Sequence, residues 1–163
     1  MKKIALIAAF SLLVATAFAQ DGKSIYNKYS DEKNVSAVYI SPTMFRLMGS
    51  IPEIEMLDED VNLTPYIKEM TGMYLIDSEN PKINASLAED ADKMVRNGRY
   101  ELLLEAKDDG ERVRIYIVPE GEYVTSFVMT ATEPGECVFI SIEGRLLRKD
   151  LERLLASAVS DRA

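Results

Sequence analysis

Between Tyr100 and Gly144 the chain repeats one pattern, a strand-like run followed by a turn signal. Asp109-Gly110, Pro119-Glu-Gly121 and Pro134-Gly135 divide the stretch into four runs at regular spacing. Short turns built on such residues join antiparallel neighbours, so the pattern predicts a four-strand meander. In the second run Val113, Ile115 and Ile117 alternate with Arg112, Arg114 and Tyr116. Alternation of period two puts the two sets on opposite faces, the first expected to be buried and the second wetter.

The rest of the chain supplies helices and two more strands. Ile25, Tyr26 and Tyr29 stand at helical spacing among charges in 23–33, and Val35 to Ile40 is a β-branched and aromatic run that reads as a strand. Ser41-Pro42 is a helix entry, with Ser as N-cap and Pro in the first turn, and Gly49 a stop. Met44, Leu47 and Met48 share one face of that helix and read as flexible core filler. A short helix is expected near Thr64 to Met70, then a strand through Met73 to Ile76. Asn84 to Asn97 is amphipathic, with Leu87, Ala91, Met94 and Val95 on one face and Gly98 at its end. After Gly144 the pattern is helical again, and Leu151, Leu154, Leu155 and Val159 form an apolar stripe. The expected fold is α+β, a mostly antiparallel sheet with a C-terminal four-strand meander and helices packed on one face. Strand order is not readable.

The N-terminus carries the features of an export signal. Lys2 and Lys3 precede an uncharged, mostly apolar run from Ile4 to Ala15, and Ala17-Phe-Ala19 places small residues at both positions a signal peptidase reads. The run is short for a permanent span of about 30 Å of hydrocarbon. Cleavage after Ala19 is expected, which divides the chain into a signal peptide at 1–19 and a single α+β domain at 20–163, with no membrane span after cleavage. Loss of Lys2 and Lys3 moves the net charge from −8 to about −10. Nucleic acid and anionic membranes want clustered Lys and Arg, so neither is an expected partner.

Histidine is absent, which removes Ser-His-Asp and Cys-His nucleophile pairs and every imidazole metal site. The lone Cys137 cannot form an intramolecular disulfide, and its apolar run Cys-Val-Phe-Ile marks it as a buried hydrophobe. Asp58, Asp60, Asn62 and Glu69 occupy positions 1, 3, 5 and 12 of a calcium-loop template. The match breaks at Leu63, where glycine is needed, and at Pro65. A solvated acidic loop is the plainer reading of those residues, and no cofactor is expected. Arg114 and Tyr116 are a candidate contact face; alternatively Arg112 and Arg114 cover the open side of the sheet and pair with Glu101 or Glu105 of the neighbouring strand.

The run from Tyr29 through Val35-Ser-Ala-Val-Tyr-Ile-Ser41, followed by a Met/Leu-rich helix, resembles the opening of the family called domain of unknown function 4252. Gly121-Glu-Tyr-Val-Thr-Ser-Phe-Val-Met, then Gly135-Glu-Cys-Val-Phe-Ile-Ser-Ile-Glu-Gly144 before a Leu-rich last helix, is similar to its tail. The resemblance implies a small exported protein of a Gram-negative bacterium, in the periplasm or cell envelope, with an envelope protein as partner and no catalytic residues to carry over. The family's lipoprotein members have a cysteine at the cleavage site, which this chain lacks. Two classes stay open: a non-enzymatic partner-binding or envelope-signalling protein, or a small-ligand or metal-binding module with an acidic-site hydrolase as its enzymatic relative. An exposed apolar sheet face would favour the first, and a pocket lined by convergent carboxylates the second.

Overall fold

The computed structural model describes residues 21–48 and 68–152. Its elements are α1 (Gly22–Tyr29), β1 (Val35–Ile40), α2 (Pro42–Met48), β2 (Met70–Ser78), α3 (Pro81–Val95), β3 (Glu101–Asp108), β4 (Glu111–Glu120), β5 (Tyr123–Glu133) and β6 (Glu136–Leu147), with helical backbone again over 148–152. Ala17 and Ala19, the calcium-loop positions Asp58, Asp60 and Asn62, and the apolar residues Leu154, Leu155 and Val159 lie outside the described residues.

All six strands form one sheet in the order β1-β2-β6-β5-β4-β3, and every neighbouring pair is antiparallel. The expected meander is β3 to β6 in consecutive order. At its first turn Asp109 and Gly110 have φ of 38° and 90°, the double positive φ that a two-residue hairpin needs to match strand twist. Against the meander's last strand lies β2, which brings its antiparallel neighbour β1 with it. Met70 already opens β2, pairing with Gly144, so the helix expected to run to Met70 does not reach it. Ladder pairing with β6 overrides local helical propensity there.

Local chemistry starts each helix. Asp21 accepts from the Ser24 amide at 2.8 Å while the Ser24 hydroxyl oxygen accepts from the Asp21 amide at 2.9 Å, a reciprocal cap on α1. Asn80 caps α3, accepting from the Lys82 amide at 3.0 Å, and Pro81 occupies the first turn. This cap starts α3 three residues before the apolar periodicity becomes visible. Ser41 caps α2 as expected, accepting from the Met44 amide at 3.2 Å. The methionine stripe of α2 does not fill the core, however. Met44 and Leu47 are exposed, and Phe45 is the residue that is buried.

The main core lies between the sheet and the layer of α1 and α3. Ile25 and Tyr29 of α1 and Leu87, Ala91, Met94 and Val95 of α3 pack on Ile76, Val128, Cys137 and Phe139 of the three central strands. Phe139 is fully buried at the centre, so truncating it to Ala costs about 3–5 kcal/mol. One feature adds to the single helical layer that the sequence predicts. The turn at 148–152 sets Leu151 in a second, smaller cluster with Ile117 and Val124, beside Phe127 and Leu146.

Candidate functional site

Residues opposite each other in an antiparallel pair share a face, so the register assigns side chains to faces across the whole sheet. One face carries the row Ala37–Ile76–Phe139–Thr130–Arg114–Glu105 and the row Tyr39–Tyr74–Ser141–Val128–Tyr116–Leu102. This is the face under α1 and α3. The other face carries Val38–Leu75–Ile140–Met129–Ile115–Leu104 in its central row, every one of them apolar. Flanking it are Ile40–Met73–Ile142–Phe127–Ile117–Glu101 on one side and Ser36–Asp77–Val138–Ala131–Val113–Ala106 on the other. The polar members are Glu101, Ser36 and Asp77, all in the flanking rows. At the two edges Val38 and Leu104 are 45% and 44% exposed, and the strands between present half-buried side chains. Among the described residues, this face is closed where Leu151 packs on Ile117 and Val124.

Arg114 and Tyr116 are on the covered face, and this corrects the expectation that they stand on the wetter one. The Arg114 side chain is 19% exposed; its Nε donates to Glu105 Oε2 and its Nη1 to Asp92 Oδ1, both at 2.8 Å. The pairing with Glu105 is the one read from the sequence. Asp92 of α3 is a partner that no strand pattern reveals, because it arrives from a different layer. Lys107, foremost, and Arg114 hold the Glu105 carboxyl below the ordinary carboxylate range. Tyr116 packs against the main core. The pair thus ties helix to sheet. Beside it Ala88, Asp92, Arg112, Arg114, Thr130 and Thr132 line a hollow of about 100 Å³, whose Arg114 guanidinium is already held by two carboxylates.

The other sequence candidates fall as follows. Glu69, the described member of the calcium-loop set, is exposed in the turn before β2, and its backbone carbonyl accepts from the Arg145 amide at 2.9 Å. Among the described residues no group of three or more acidic or Cys side chains is placed to hold a metal ion. Cys137 is buried under α3, and loss of solvation pushes its thiol up to about 11, which keeps it protonated and unreactive at neutral pH. Burial, and after it the charge of Asp21, also raises Glu143 above the ordinary carboxylate range. Glu143 shares its face with Ser126, whose hydroxyl is buried without a hydrogen-bond partner among the described residues. No described helix is long and apolar enough to cross a membrane.

What the sequence reading missed is the apolar face. The signal was present in the alternation of Val113, Ile115 and Ile117, but it was assigned to the core. None of the curated proteins and none of the solved structures matches the chain. The expected family resemblance does hold, over most of the length: the chain belongs to the family described as Domain of unknown function (DUF4252), which matches residues 29–154.

Proposed function

We propose that this is an exported, non-enzymatic protein of the bacterial cell envelope that acts by binding a protein partner on the face of its sheet opposite α1 and α3. The observation that carries the reading is the face itself, with 15 apolar residues among 18 register positions across six strands. Five strand spacings of about 4.8 Å and two row spacings of about 6.8 Å make on the order of 300 Å² between Cα positions, and more at the side-chain surface. An apolar patch of that size matches the largest patch of a typical monomer, which is often a functional surface. The export half of the reading rests on Lys2, Lys3, the apolar run and Ala17-Phe-Ala19. The missing histidine and the protonated, buried Cys137 support contact over catalysis.

The test is site-specific photo-crosslinking in cells, with a benzophenone side chain at Met129 or Leu75 and a control at Lys93 on the exposed side of α3. A discrete adduct from the first two positions and none from the third is expected. Adducts from Lys93 alone would reject the face. Intact-mass analysis of the native product tests export, and a form that keeps Met1 to Ala19 would refute it.

A further inference from the structure

The sheet ends at β3 in an edge of unusual composition. Among the described residues this strand pairs with β4 alone, and all eight of its residues are exposed. Three of them are leucines in succession, Leu102, Leu103 and Leu104, at 54%, 40% and 44% exposure. The other edge strand, β1, packs Val35 and Ala37 against the main core instead. Proteins guard an apolar edge with charges, bulges or a cover, because its backbone is a template for another strand. Here the guards are partial. The register shifts between Leu102 and Leu104, which leaves Leu103 without an opposite residue and confines regular pairing to 104–108. Lys107, the one lysine of the strand, turns back to Glu105 at 2.8 Å.

The turn fixes which backbone groups face outward. The two-residue loop Asp109-Gly110 closes on Asp108 and Glu111, and the closing pair of such a hairpin exchanges both hydrogen bonds. Alternation gives Ala106–Val113 and Leu104–Ile115 the same bonds and turns the N–H and C=O of Glu105 and Lys107 away from β4. Charge then selects the occupant. A second copy is disfavoured, since each chain carries −8. Antiparallel pairing of two copies about Glu105, Ala106 or Lys107 sets Glu105 opposite itself, Leu104 opposite Asp108, or Lys107 opposite itself. The Glu105 carboxylate is already engaged by Lys107, Arg114 and Arg112, whereas Asp108, Asp109 and Glu111 leave the turn end acidic. We propose that the edge of β3 over 104–108 takes an extended segment of another protein as an added strand, apolar beside Leu104 and Ala106 and basic where it passes Asp108 and Asp109. This edge is a second surface and does not rest on the apolar face described above.

The test uses the peptide acetyl-Lys-Val-Thr-Val-Thr-Val-Lys-amide and residue-resolved hydrogen exchange by NMR. In the free protein the Glu105 and Lys107 amides are expected to exchange at least about tenfold faster than those of Leu104 and Ala106. Peptide in millimolar excess should slow the first pair at least about tenfold and leave α3 unchanged. If the Glu105 and Lys107 amides are already slow without peptide, the edge is covered and the proposal is overturned. Slowing that follows rising protein concentration alone makes the occupant a second copy and overturns it as well. Saturable binding is expected by fluorescence polarisation, at least about tenfold weaker for the peptide with Glu at both ends. Binding is also expected to be lost when Pro replaces the central Val, which removes backbone pairing and keeps the charge. Equal binding of all three peptides, or none of the first, overturns the proposal. Lys107→Pro blocks an outward amide, a change that an edge strand tolerates, and should abolish binding, while Lys107→Ala should keep it. Peptide binding without adducts at Met129 or Leu75 keeps the edge and removes the face; adducts without peptide binding do the reverse.

Discussion

Replacing Asp90 with Ala probes what holds α1 against α3. The Asp90 side chain is 10% exposed and accepts hydrogen bonds from the Tyr29 hydroxyl at 2.7 Å and from the Lys28 ammonium. Tyr29 is itself buried, so the substitution leaves its hydroxyl without a charged acceptor. A hydrogen bond to a charged group contributes about 1.5–3 kcal/mol. The bond from Lys28, whose side chain is mostly in water, adds about 0.5 kcal/mol. The expected loss is therefore about 2–3.5 kcal/mol, and Ser86, also within reach of the Tyr29 hydroxyl, sets the lower end. In a domain of this length that lowers Tm by about 5–12 °C. A double-mutant cycle by urea unfolding, with Asp90→Ala and Tyr29→Phe, isolates the pair. Coupling of about 1.5–2.5 kcal/mol is expected, and coupling below about 0.5 kcal/mol would refute the reasoning. The pH dependence gives a second check. Hydrogen bonding to Asp90 raises Lys28 above 10.5, and burial raises Tyr29 above 10.0. Both groups hold their proton more tightly when folded, so this stabilisation is complete below pH 10 and is lost as pH rises through the folded values.

Three further predictions use other parts of the fold. Cys137→Ala is expected to cost about 1–3 kcal/mol by opening a cavity beside Phe139, and native Cys137 to react with iodoacetamide at pH 8 only as fast as the protein unfolds; rapid labelling of folded protein would contradict its burial. With its thiol raised from 9.0 to about 11, stability from this group is present below pH 9 and declines toward pH 11. Gly144→Ala would place a Cβ 2.6 Å from the Glu69 carbonyl oxygen and 2.8 Å from Met70 Cα, backbone of the turn into β2 and of its first residue; a loss of about 1–3 kcal/mol is expected, against less than about 1 kcal/mol for Gly72→Ala, whose nearest neighbour is the Tyr74 ring at 3.6 Å. Arg114→Met should cost about 1–2 kcal/mol and let the Glu105 carboxyl titrate closer to its ordinary range by NMR, while Lys107, its largest influence, keeps it depressed. Because that carboxyl is depressed in the fold, its stabilisation is present above the ordinary value and lost as pH falls.

Much of the fold was legible because it is local. The strand Val35–Ile40, the caps at Ser41 and Pro42, the buried set Leu87, Ala91, Met94 and Val95, and the meander turns at Gly110, Gly121 and Gly135 all follow from neighbours in the chain. The errors have a common origin. Met70 was read into a helix because its partner, Gly144, is far away in sequence. The Met44 and Leu47 stripe was read as core because its spacing is helical and apolar, yet Phe45 is the residue that meets a neighbour.

The candidate site shows the same division. Periodicity alone determined that Val113, Ile115 and Ile117 lie opposite Arg114 and Tyr116, that Cys137 and Phe139 share a face, and that no histidine chemistry operates. It could not determine which face is covered. Across β4, β5 and β6 the covered face carries Arg114, Thr130 and Ser141 while the opposite face carries Ile115, Met129 and Ile140, so polarity points to the wrong face as the inside. Only the tertiary structure decided it. The register places Arg114 where α3 brings Asp92, and the energy of that paired guanidinium, together with Ile25, Leu87 and Met94 closing over Phe139, commits the helices to one side. The face of Ile115, Met129 and Ile140 is left open because the described helices α1 and α3 are already spent on the other.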